Sequence, residues 1–94
     1  MNLRYNANVL CAVEHAVRKP LVEVLAELES DGGTSLSTLR ALVAAGQYGA
    51  TFPNFPATML DEYQAGHLID KHGTAACAEA VGKALKSYFS KVTP

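Results

Sequence analysis

Residues 6–46 read NANVLCAVEHAVRKPLVEVLAELESDGGTSLSTLRALVAAG, and this stretch decides the fold class. Asn6 is a good helix N-cap, because a side-chain oxygen at that place can accept an otherwise orphaned amide. Val9, Leu10, Val13, Ala16 and Val17 then recur at three-to-four spacing and make one apolar helix face. Glu14 and Arg18 stand four apart on the outer side, the spacing of a weak ion pair. Pro20 cannot continue a helix but suits the first position of a new one, so a second helix is expected from there. Leu21, Val24, Leu25 and Leu28 are its expected stripe, with Glu23, Glu27 and Glu29 facing water. Ser30-Asp31-Gly32-Gly33 reads as a loop. Thr34 or Ser35 is expected to cap a third helix carrying Leu36, Leu39, Leu42 and Val43, with Gly46 as its stop.

The same reading extends outward in both directions. Leu3 and Tyr5 alternate with polar residues, as in a short extended arm (residues 1–5) or the edge of a strand. Residues 47–57, QYGATFPNFPA, are expected to be an irregular loop rich in aromatic residues and proline. Pro53 and Pro56 each push the preceding Phe toward extended backbone. Thr58 is the expected cap of a fourth helix, with Asp61 at the third position of a short capping box. Met59, Leu60, Tyr63, Leu68 and Ile69 supply its apolar bulk, and Gly73 its end. Thr74 is the expected cap of a fifth helix striped by Cys77, Val81, Ala84, Leu85, Tyr88 and Val92. Glu79 and Lys83 are a favourable pair on it, and Lys86 and Lys91 suit its negative end. The expected fold is all-α: one domain over residues 1–94, a compact bundle of about five short helices. Leu10, Val13, Leu25, Leu39, Leu42, Val81 and Leu85 are the expected core.

Composition narrows the function classes. The chain has 94 residues, 49% of them hydrophobic, and a net charge of −1 with its eight basic residues scattered. A nucleic-acid surface normally needs a basic stripe, and a polybasic membrane anchor needs a basic cluster. Neither partner is expected. The opening MNLRYN is polar, unlike a secretory signal. Cys11 and Cys77 stand far apart and lie on or beside apolar stripes, so two buried thiols in a reducing cytoplasm are expected rather than a disulfide.

Few residues suggest chemistry. His67, Asp70 and His72 in HLIDKH form the one cluster resembling a metal site, and zinc would need a further ligand such as His15. Histidines five apart diverge on a helix, so surface imidazoles near a helix C-terminus are the simpler reading. Gly32-Gly33 lacks the lysine and further glycines of a phosphate loop. No cofactor, no metal and no catalytic residue are expected. Tyr48, Phe52 and Phe55 are the candidate partner-binding residues, because aromatic side chains are common interface anchors. The competing role for these rings is to fold back as a lid on the core.

With the helices placed, a family likeness emerges. YNANVLCAVEHAVRKPLVEVLAELE, SLSTLRALVAAG, AGHLID and AEAVGKALKSYF together resemble the small tail assembly chaperones of gene-transfer agents and related long-tailed phages. The likeness runs from Leu3 to Phe89. It implies a non-catalytic, self-associating helical protein of the host cytoplasm that coats the tape measure protein and helps recruit tail tube protein. Such a protein is absent from the mature particle. The alternative expectation is a small helical regulator that binds DNA or protein through a helix-turn-helix-like segment made of helices 2 and 3. Arg40 would be the single strong base contact on its recognition helix. A metal-dependent enzyme built on His67, Asp70 and His72 is the third.

Overall fold

The computed structural model describes residues 1–29, 35–52 and 60–92, and it is all-α over them. Five helices follow in order: α1 Ala7–Val17, α2 Leu21–Glu29, α3 Leu36–Thr51, α4 Glu62–His72 and α5 Thr74–Val92. Among the described residues there is no strand, and no helix is long and apolar enough to cross a membrane. α3 is the central element and packs against α1, α4 and α5. Its residues 41–46 are all buried.

The caps explain most boundaries. Asn6 accepts from the Val9 amide at 2.9 Å, and Ser35, not Thr34, accepts from the Thr38 amide. Thr58 lies outside the described residues. The cap of α4 is Asp61, which accepts from the Gln64 amide at 2.9 Å. Asp is a stronger cap than Thr, and Glu62 beside it also favours a helix N-terminus. Gly73 ends α4 at φ 89, a value that side chains with a Cβ rarely adopt. Thr74 is already inside α5, and the Gly73 carbonyl accepts the first bond, from the Cys77 amide.

Two expectations about α3 are corrected. Gly46 does not stop the helix, which runs on to Thr51, so residues 47–51 of the expected irregular loop are helical. The reason is tertiary. The N-terminal arm crosses α3 at this level: the Arg4 amide donates to the Gly46 carbonyl at 2.9 Å, and Tyr5 Oη donates to the Leu42 carbonyl at 2.5 Å. Tyr5 is buried, and burial raises its phenol pKa well above the usual value. A Cβ on Gly49 would collide with the Arg4 carbonyl, and one on Gly46 would press on Tyr5 and Leu3. These glycines make room for a passing chain. The helix ends at Thr51 instead, and Phe52, the residue before Pro53, leaves helical geometry at φ −129, ψ 66.

The core contains six of the seven expected residues: Leu10, Val13, Leu39, Leu42, Val81 and Leu85. Leu25 is only half-buried, because α2 is the outlying helix and rests chiefly on α1. Tyr5, Val9, Val24, Val43, Ile69 and Cys77 complete the cluster with the small alanines of α3 and α4. Cys11 is exposed rather than buried, so the expected pair of buried thiols reduces to Cys77, and both thiols are free. Burial raises the Cys77 pKa, with the Leu68 carbonyl 3.9 Å from its sulfur.

Candidate functional site

A groove opens on the described surface where α3 and α4 run side by side. Leu36, Ser37 and Arg40 from the first turns of α3 face Glu62, Tyr63, Gly66, His67 and Asp70 of α4 across a groove of about 320 Å³, with Ile69 at its floor. Leu36 is 61% exposed and Tyr63 80% exposed, so two large apolar side chains stand in water beside this groove. Leu36 keeps the spacing of the α3 stripe. It falls in the first turn, beyond the reach of the helices that bury Leu39 and Leu42, which corrects the expectation that it packs inward. Arg40 Nη2 lies 3.8 Å from Glu62 Oε2, which ties the two helices across the groove. The ring of His67 meets that of Tyr63 edge-on at 4.7 Å.

The histidine cluster is divided by this geometry. His67 and Asp70 line the groove, while His72 is exposed near the end of α4 and His15 is exposed on α1. Among the described residues no three histidine, cysteine or carboxylate groups converge to hold a metal ion.

The aromatic candidates are placed as follows. Tyr48 is half-buried on the last turns of α3, and Phe52 caps that helix at 45% exposure. Their ring centroids are 5.2 Å apart at a tilt of 46°. The helical extension past Gly46 brings them together, because residues four apart share a face. Phe55 lies outside the described residues.

A carboxylate that the sequence assigns to a solvated face plays a structural part. Glu27 accepts from the Ser35 amide at 2.5 Å, from Thr38 Oγ1 at 3.3 Å and from Lys19 Nζ at 3.1 Å. The Ser35 amide, then Lys19, hold its carboxyl well below the usual range, at about 2. Glu14 is likewise diverted from its expected partner. Arg18 turns into the left-handed region at φ 55 to end α1, which takes it off the helical i,i+4 register. Glu14 Oε2 accepts from the Leu21 amide at 2.6 Å instead. Of the other expected pairs, Glu79 and Lys83 meet at 3.4 Å.

Comparison with known proteins adds no relative: no protein-family model, no curated protein and no solved structure matches the chain.

Proposed function

We propose that this protein is a non-catalytic assembly chaperone of the phage-tail type, acting in the host cytoplasm. It covers a long helical tape measure protein, helps bring tail tube protein to it, and leaves before the particle is complete. The observation that carries this reading is the α3–α4 groove with Leu36 and Tyr63 exposed at its side. A groove between two helices is a suitable receiver for the apolar stripe of a third. Large exposed apolar side chains gathered in one place mark interaction surfaces on folded proteins. The Tyr48–Phe52 ring pair offers a second contact at the far end of α3. The all-α architecture is also the one that the family resemblance implies.

The helix-turn-helix alternative has less support. Its recognition helix would be α3, whose residues 41–46 are buried and whose one basic residue, Arg40, already faces Glu62. A recognition helix must present several side chains to base edges.

The test is co-expression with the tape measure protein of the same genome. The expected result is that the tape measure protein becomes soluble. Leu36→Ser and Tyr63→Ser together should abolish that effect while leaving the helical circular dichroism spectrum unchanged. An insoluble tape measure protein beside a strictly monomeric wild-type chain in light scattering would overturn the proposal.

A further inference from the structure

Helix α2 differs from the other four in how it is held. Val24 is its one fully buried side chain, while Leu21, Leu25 and Leu28 are half-buried and Val22 is 70% exposed. It rests chiefly on α1, whereas α3 is gripped by three other helices. Among the described residues its apolar anchorage is therefore the weakest of the five helices. Both of its ends are instead fixed by carboxylates. At the first end, Glu14 of α1 accepts from the Leu21 amide, one of the amides that a helix start leaves without an internal partner. At the other end, Glu27 joins the last turn of α2 to the first turn of α3 through Ser35 and Thr38. Lys19 reaches the same carboxylate from the turn before α2. That turn is a natural pivot, with Arg18 in left-handed geometry and Pro20 supplying no amide to either helix.

We propose that α2 is a latched flap: it swings about residues 18–20 as a unit, without unfolding of the α1–α3–α5 core, and Glu27 is its latch. Regions with few buried apolar contacts open locally at lower free energy than the core. Here the polar bonds at the far end of α2 are gathered by a single side chain, Glu27. A charge-assisted hydrogen bond is about twice as strong as a neutral one, so removing the charge of Glu27 weakens its bonds to Ser35, Thr38 and Lys19 together. Opening uncovers the apolar face now shielded by Leu21, Val24, Leu25 and Leu28.

Two native cysteines make the flap measurable. Cys11 is exposed and Cys77 is buried in α5, so they report free access and core opening respectively. In the Val24→Cys protein, a thiol reagent read by peptide mass spectrometry should label position 24 faster than Cys77 and slower than Cys11. Adding Glu27→Gln should speed labelling at position 24 by about tenfold, the worth of one charge-assisted hydrogen bond, and position 24 should still be labelled well before Cys77. Equal labelling rates at position 24 and Cys77 would overturn the proposal, as would a Glu27→Gln protein in which position 24 is labelled no faster. Native-state hydrogen exchange on the unsubstituted chain tests the same opening without the added cysteine. Amides of Leu25–Glu29 should exchange well before those of Leu42–Ala45, and uniform protection across the two helices would overturn the flap.

Discussion

Single residues carry much of the tertiary logic, and the glycines of α3 and α5 show how. Gly49 lies where the arm crosses α3, and a Cβ there would meet the Arg4 carbonyl. Gly82 lies on the exposed side of α5, and a Cβ there would meet nothing within 4 Å. The same substitution should therefore have opposite effects. Gly82→Ala should stabilise the fold by roughly 0.5–1 kcal/mol, because alanine loses less backbone freedom in a helix. Gly49→Ala should destabilise it by about 1–3 kcal/mol through overpacking, with the arm displaced. Thermal melts of the two variants check both signs. Tyr5→Phe should cost about 1 kcal/mol by removing the bond to the Leu42 carbonyl.

At the scale of elements, the acid response belongs to the junction of α2 and α3. The Glu27 carboxyl titrates at about 2 in the fold, against 4.5 for the free group. As pH falls, the unfolded chain binds this proton first. The stability contributed by Glu27 is complete above a pH of about 4.5 and is lost as pH drops toward about 2. Urea midpoints measured down this range should fall more steeply for the wild type than for Glu27→Gln. Parallel acid limbs in the two proteins would show that another group sets the response. Serine at the start of α3 and aspartate at the start of α4 are ordinary capping chemistry. The Glu27 bridge is not local in that sense, since Lys19, Ser35 and Thr38 reach it from eight to eleven residues away.

Across the whole molecule, stability and recognition fall on different residues. Leu39 and Leu85 are almost fully buried, and replacing either by Ala should cost roughly 2–5 kcal/mol from lost burial and the cavity left behind. Leu36→Ala and Tyr63→Ala should stay within about 0.5 kcal/mol of the wild type in denaturant unfolding, because those side chains are already in water. The same pair should matter for association. If Leu36 and Tyr63 form a docking surface, their removal should lower light scattering by concentrated protein while leaving the unfolding midpoint nearly unmoved. The radius of gyration, 12.0 Å, is that of a compact chain of this length. The exposed apolar side chains therefore do not reflect a loosely packed fold.

The order of five helices was legible in the residues alone, because apolar spacing and capping chemistry act within a few positions of each other. Asn6, Gly73 and the stripe Cys77–Val81–Leu85 are read correctly from their neighbours, as are most of the core leucines and valines, and the cap of α3 is narrowed to Thr34 or Ser35, of which the structure uses Ser35. The tertiary structure decided what neighbours cannot. It carried α3 through Gly46, because a helix tolerates glycine where another segment must pass close by. It left Leu36, Tyr63 and Cys11 outside, because a stripe is buried only as far as a partner helix reaches. It turned Glu27 from a solvated acid into a bridge, because its hydrogen-bond donors converge only once α2 lies beside the start of α3. The α3–α4 groove is of the same kind: its residues come from two helices far apart in the chain, and packing alone sets them face to face.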